Sequence, residues 1–191
     1  MAEPTVHPTR KRLIEVFSAG CHACEETIKM VRQLACQSCE VKILDMKSRE
    51  VATLAQSLGI RSVPTVLITS SKLAACCASG PGPDETTLRR LGVGEPTPTG
   101  RKRLIEIFSA GCHACEAAIR LVGRIACSSC EVKVLDMRDR EVAALAKSLG
   151  VRHVPSVVIT ATEFASCCAG RGPEASALKV AGVGLPILVH G

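Results

Sequence analysis

Twelve cysteines in 191 residues fall into pairs, and these are the side chains most able to do chemistry in this chain. Cys21-His-Ala-Cys24 and Cys112-His-Ala-Cys115 set two thiols three positions apart, as do Cys36-Gln-Ser-Cys39 and Cys127-Ser-Ser-Cys130; Cys76-Cys77 and Cys167-Cys168 are adjacent. A thiolate is both the nucleophile of disulfide exchange and a ligand for soft metal ions, so pairs at this spacing point to redox chemistry or to metal binding. The first twelve residues hold no apolar signal-like run, and the expectation is a cytosolic, cytoplasmic protein whose thiols are kept reduced rather than used as structural staples.

These pairs recur because the chain is a duplication. Arg10 to Glu25 returns almost unchanged as Arg101 to Glu116, and the register holds without a gap to Cys76-Cys77 and Cys167-Cys168. The halves realign at Gly92-Val-Gly94 and Gly182-Val-Gly184, after one residue is lost. Glu95-Pro-Thr-Pro-Thr-Gly100 has the prolines of a short, stiff linker. The expected division is residues 1–94, a linker at 95–100, and residues 101–191, each copy of about ninety residues being long enough for its own core.

Within a copy, Leu13 to Phe17 is a short apolar run that predicts a buried strand. After Cys21, Ile28, Val31 and Ala35 fall at helical spacing, as do Ile119, Val122 and Ala126, so each Cys-His-Ala-Cys motif opens a helix. Val41 to Met46 predicts a second strand, and Val51, Leu54, Ala55 and Leu58 mark a second helix stopped by Gly59. A strand over 62–69, a weaker one over 73–78 and a short helix capped by Asp84 complete the unit. The fold class is α/β, with a central mixed sheet flanked by helices in each copy.

Composition narrows the functions. Nothing approaches the apolar length of a membrane helix, so no membrane partner is expected. The net charge of +6 is spread along the chain, with runs at Arg10-Lys-Arg12 and Arg101-Lys-Arg103 that read as solvated strand entrances. With no Trp or Tyr and three Phe, stacking platforms are lacking, and nucleic acid is not an expected partner.

A Cys-x-x-Cys motif beside a βαβ pattern resembles the thioredoxin superfamily, and the size of each copy is similar to a glutaredoxin. Gly59-Ile-Arg-Ser-Val-Pro-Thr65 and Gly150-Val-Arg-His-Val-Pro-Ser156 look like the segment that carries that family's cis proline, at Pro64 and Pro155. Glu15 and Glu106 lie six residues before the first motif cysteine, where thioredoxins hold a buried carboxylate that assists proton transfer. The tandem arrangement is similar to two-domain protein disulfide oxidoreductases. Two departures are the absence of Trp before the motif and His-Ala in place of the usual Gly-Pro.

The resemblance implies that Cys21 and Cys112 attack a disulfide and that Cys24 and Cys115 resolve the mixed intermediate. It also implies protein or small-molecule disulfide substrates, a separate reductase as partner, and no required cofactor. A helix N-terminus stabilises the thiolate, and a protonated His22 or His113 would favour it further and make the disulfide more oxidising.

The remaining cysteines stay open to several uses. Cys36 lies twelve residues beyond Cys24, about 18 Å along a continuous helix, so the two pairs cannot form one site. Cys36, Cys39, Cys127 and Cys130 suit a local disulfide, an electron relay, a four-thiolate metal site shared between copies, or plain buried thiols. Cys76, Cys77, Cys167 and Cys168 suit a vicinal disulfide or soft-metal capture. The competing function is thus a carrier or sensor of Zn(II), Cu(I) or Hg(II) on the same scaffold.

Overall fold

The computed structural model describes residues 11–75, 82–165, 173–181 and 183–184. Its order is β1 (Arg12–Ser18), α1 (His22–Leu34), β2 (Cys39–Asp45), α2 (Arg49–Ser57), β3 (Thr65–Ala75) and α3 (Glu85–Arg90). The second copy repeats it as β4 (Arg103–Ser109), α4 (His113–Ile125), β5 (Cys130–Asp136), α5 (Arg140–Ser148), β6 (Ser156–Ala165) and α6 (Ala175–Val180). The helices begin where the local chemistry dictates: the Asp84 carboxylate caps α3 by accepting from the Thr87 N–H at 2.7 Å, and Asp139 caps α5 through Glu141 at 2.7 Å. Gly59, at φ +73°, supplies the left-handed turn that ends α2.

All six strands join one mixed sheet in the order β2-β1-β3-β6-β4-β5. β1 and β4 run parallel to β2 and β5 and antiparallel to β3 and β6. The expected pair of closing strands is absent from the described residues; instead β3 runs straight through from Thr65 to Ala75. Thr69-Ser-Ser-Lys72 and Thr160-Ala-Thr-Glu163 contain neither the glycine nor the asparagine that a tight hairpin needs at positive φ, so the strands do not fold back. Each crosses to the other copy, and β3 pairs antiparallel with β6 from Val66↔Ala165 to Ala75↔Ser156.

That ladder is symmetric about Ser70↔Ala161, which are the same position in the two copies. On either side of it the hydroxyls of Thr69 and Thr162 meet at 2.8 Å, and those of Ser71 and Thr160 at 2.7 Å. The two contacts are equivalents of each other under the repeat. Cross-strand hydroxyl pairs of this kind fix register, because a slip of one residue would send every side chain to the opposite face.

Crossing strands carry their following helices with them. Leu178 of α6 is fully buried with Ile14, Val16 and Val31 of the first copy, and Leu88 of α3 with Ile105, Ile107 and Val122 of the second. On the other sheet face, Phe164 packs onto Phe17, Ala55 and Leu67, and Leu73 onto Phe108, Ala146 and Val158. A core within each copy was the sequence expectation, but every buried cluster draws on both sides of residues 95–100. The linker itself is docked: Thr99 is buried and donates to the Thr162 carbonyl at 3.3 Å, and Gly100 lies so close to the Ser57 carbonyl that a Cβ would stand 2.4 Å from its oxygen.

The two exchanged leucines each remove a whole side chain from water, about 2 kcal/mol apiece. Residues 1–94 produced alone would leave α1 without α6 and half of β3 without a partner. They are expected to sediment as a dimer that restores the same exchange between two chains; a compact monomer would contradict it.

Candidate functional site

Each Cys-His-Ala-Cys motif sits where a strand end meets a helix start. Cys21 follows β1 and is the N-cap of α1, its Sγ accepting from the Cys24 N–H at 3.4 Å; Cys112 caps α4 through Cys115 at the same distance. Cys21 and Cys112 are exposed, whereas Cys24 and Cys115 are fully buried. The sulfurs lie 2.7 Å apart in the first pair and 3.0 Å in the second, so closing to a disulfide bond of about 2.05 Å needs only a small shift. An exposed thiol at a helix N-terminus, backed by a buried one, can attack and then be attacked from within.

Burial pushes the Cys24 thiol up, but hydrogen bonds from Cys21, the Ala19 backbone and Ser18 outweigh it and hold the value below that of an ordinary thiol. Cys115 is lowered in the same way, against burial, by Cys112, the Ala110 backbone and Ser109. Ser18 and Ser109 are the site residues that the sequence reading missed. Both are buried at the strand ends, where each Oγ also accepts a backbone N–H, from Gly20 at 3.2 Å and from Gly111 at 3.1 Å. The signal was present in the repeated Phe-Ser-Ala-Gly-Cys.

Other expected residues have mixed placements. Val63–Pro64 and Val154–Pro155 are cis, and both prolines are buried. Gly82, from the first copy, lies against Pro155 and Ala118 of the second; a Cβ there would stand 2.9 Å from Pro155 Cγ. The second copy's proline and the second turn of its dithiol helix therefore border a residue of the first copy.

Glu15 and Glu106 are buried, yet the Glu15 carboxylate is taken by Arg101, which donates through Nη1 at 2.5 Å and Nη2 at 3.1 Å. The groups that hydrogen-bond Cys24 are Cys21, Ser18 and the Ala19 backbone. His22 and His113 are exposed, and His22 Nδ1 lies 3.8 Å from Glu26, for which the second copy has Ala117. The basic runs are not simply solvated: besides Arg101, Arg103 is buried and donates to the Gly92 and Glu95 carbonyls.

The second cysteine pairs lie just past the opposite ends of α1 and α4. Cys36 and Cys39 have their sulfurs 3.2 Å apart, and Cys127 and Cys130 theirs 3.4 Å apart. Among the described residues no three His, Cys, Asp or Glu side chains gather as a metal ion would require, so the four-thiolate arrangement of Cys36, Cys39, Cys127 and Cys130 is not assembled. Cys76, Cys77, Cys167 and Cys168 lie outside the described residues. No helix among the described residues is long and apolar enough to cross a membrane.

Fold and site thus define a cysteine-rich mixed α/β protein with duplicated Cys-x-x-Cys pairs at helix N-termini. No family model matches the chain. It is 56% identical over 78 residues to the "Uncharacterized 9.0 kDa protein in mobE 3'region" of Acidithiobacillus ferrooxidans, a match spanning 41% of this chain and 91% of that protein. The chain belongs to the family of that 9.0 kDa protein, whose matched length fits within a single repeat.

Hydrogen bonds that favour the thiolate stabilise the reduced folded form fully above the unfolded-state thiol pKa, and that stabilisation is lost as pH falls through the lowered value. Thiolate ultraviolet absorbance, followed against pH in a reduced variant that keeps only Cys21, Cys24, Cys112 and Cys115, is expected to show its first midpoint below the roughly 8.5 of a free cysteine. Ser18→Ala with Ser109→Ala should move it upward. A midpoint at or above the free-cysteine value would contradict the assignment.

Proposed function

We propose that the protein is a thiol–disulfide oxidoreductase built from two thioredoxin-like units that share one sheet. The observation carrying this reading is the exposed N-cap thiol next to a fully buried thiol, formed twice by identical motifs. The strand–dithiol–helix order and the cis prolines at Pro64 and Pro155 support the same architecture. In this proposal each unit is β2-β1-β3 or β5-β4-β6, closed by the far half of the other copy's crossing strand.

In the reductive direction, the proton held between the two sulfurs passes from Cys21 to Cys24, and the Cys21 thiolate attacks one sulfur of a substrate disulfide, forms a mixed disulfide and expels the other sulfur as a thiolate. Cys24, its proton passing to solvent, then attacks Cys21 Sγ and expels the second substrate thiolate. Two electrons have passed to the substrate, and the Cys21–Cys24 disulfide is returned to dithiol by a separate reductase. Cys112 and Cys115 perform the same cycle. Lowering the first thiol proton's pKa stabilises the reduced form and makes the disulfide a better oxidant.

Ser18 suits the relay of the Cys24 proton, since its hydroxyl both donates and accepts, while the Glu15–Arg101 pair ties the start of the second copy to β1.

Reduction of a model disulfide coupled to a thiol donor is expected to fall at least about 100-fold in a Cys21→Ser, Cys112→Ser variant, because the attacking sulfur is gone. A Cys24→Ser, Cys115→Ser variant should instead accumulate a stable mixed disulfide at Cys21 and Cys112, visible by mass. Undiminished turnover in the first variant would overturn the proposal.

A further inference from the structure

At the far ends of α1 and α4, the second cysteine pairs touch the segment that each copy hands to the other. Cys127 and Cys130 are joined by a tight turn, with the Cys130 N–H donating to the Cys127 carbonyl at 2.9 Å. Across them passes Gly92 to Glu95 of the first copy. The Cys127 thiol donates to the Glu95 carbonyl at 3.4 Å, and the Gly94 backbone adjoins Cys130 and lowers its thiol against burial. Gly94 approaches so closely that a Cβ would stand 2.5 Å from the Ile125 carbonyl oxygen, at the end of α4.

The first copy has the same construction with the partners reversed. The Gly184 backbone adjoins Cys39 and lowers its thiol, and a Cβ on Gly184 would stand 2.5 Å from the Leu34 carbonyl oxygen. A guanidinium is built into the second-copy site as well: Arg103 is 7% exposed, its charge acts on Cys130, and its Nε has no hydrogen-bond partner among the described residues. Two sulfurs 3.4 Å apart beside a buried cation make a site suited to a thiolate.

We propose that Cys36–Cys39 and Cys127–Cys130 are a second set of redox sites, oxidised by small-molecule disulfides, that hold the exchanged segments more tightly when reduced and loosen them when oxidised. The Cys130 thiolate attacks one sulfur of the small disulfide and expels a thiolate. Cys127 then gives its proton to solvent and attacks Cys130 Sγ, expelling the second thiolate. One protein disulfide has formed, one small-molecule disulfide has become two thiols, and two electrons have left the protein. The product lacks the S–H that bonded Glu95, so the exchanged segment loses that sulfur contact and is left on its hydrogen bonds from Arg103.

The test uses the full chain carrying Cys21→Ser, Cys24→Ser, Cys112→Ser and Cys115→Ser, so that its outcome is independent of the dithiols assigned to catalysis. It is equilibrated in reduced or oxidised glutathione, the disulfides are mapped by mass spectrometry, and hydrogen exchange is followed at Gly94. Oxidation is expected to give the Cys36–Cys39 and Cys127–Cys130 disulfides and to speed Gly94 exchange about tenfold, the scale of one lost hydrogen bond. Adding Cys127→Ser and Cys130→Ser should make that exchange indifferent to glutathione. The wild-type chain, mapped in the same way, serves if the multiple variant does not fold. Thiols that stay alkylatable in oxidised glutathione, a disulfide with unchanged Gly94 exchange, or a response that survives the added serines would each overturn the proposal.

Discussion

The antiparallel pairing of β3 with β6 is the constraint from which the rest of the molecule follows. It is self-complementary about Ser70 and Ala161, so each copy offers the other the strand it lacks. Once the strands cross, α3 and α6 cannot return to the cores of their own copies, and Leu88 and Leu178 are buried in the opposite ones. The linker then has only a short path to follow. It lies along the sheet with Thr99 buried, and Arg101 reaches Glu15 across the boundary between copies.

This arrangement makes the two dithiols parts of one body. The proline beside the second dithiol helix is bordered by Gly82 from the first copy, where no larger residue fits without displacement. The second cysteine pairs hold chain from the opposite copy. A change that loosens one exchanged segment therefore acts on the copy that receives it, not on the one that supplies it. The copies are not identical in detail: Glu26 beside His22 is replaced by Ala117, and Ser62 before the cis proline by His153. The two thiol environments consequently differ in charge despite identical motifs.

Local structure was legible from local chemistry. Apolar spacing after Cys21, the stop at Gly59 and the cap at Asp84 gave the helices to within a residue or two, and the flanking pattern pointed to Pro64 and Pro155. What could not be read was the destination of each strand. Periodicity reports which face of an element is apolar, but not which copy of a duplicated sequence supplies the opposing surface, because both copies present the same pattern. The missing turn residues between Thr69 and Lys72 were the available signal. Arg103 and Arg101 were obscure for a related reason: a basic run suggests solvent until the carbonyls of Gly92 and Glu95 and the carboxylate of Glu15 are brought to it. Ser18 was hidden by its modest chemistry, since a hydroxyl gains a role only when a strand end places it under a sulfur.

Methyl nuclear Overhauser effects in the 191-residue chain test the exchange most directly. Contacts are expected from Leu178 to Val31 and from Leu88 to Val122, each joining one copy's last helix to the other copy's dithiol helix. Contacts from Leu178 to Val122 and from Leu88 to Val31, with the crossed pairs silent, would show two separately closed repeats and contradict it.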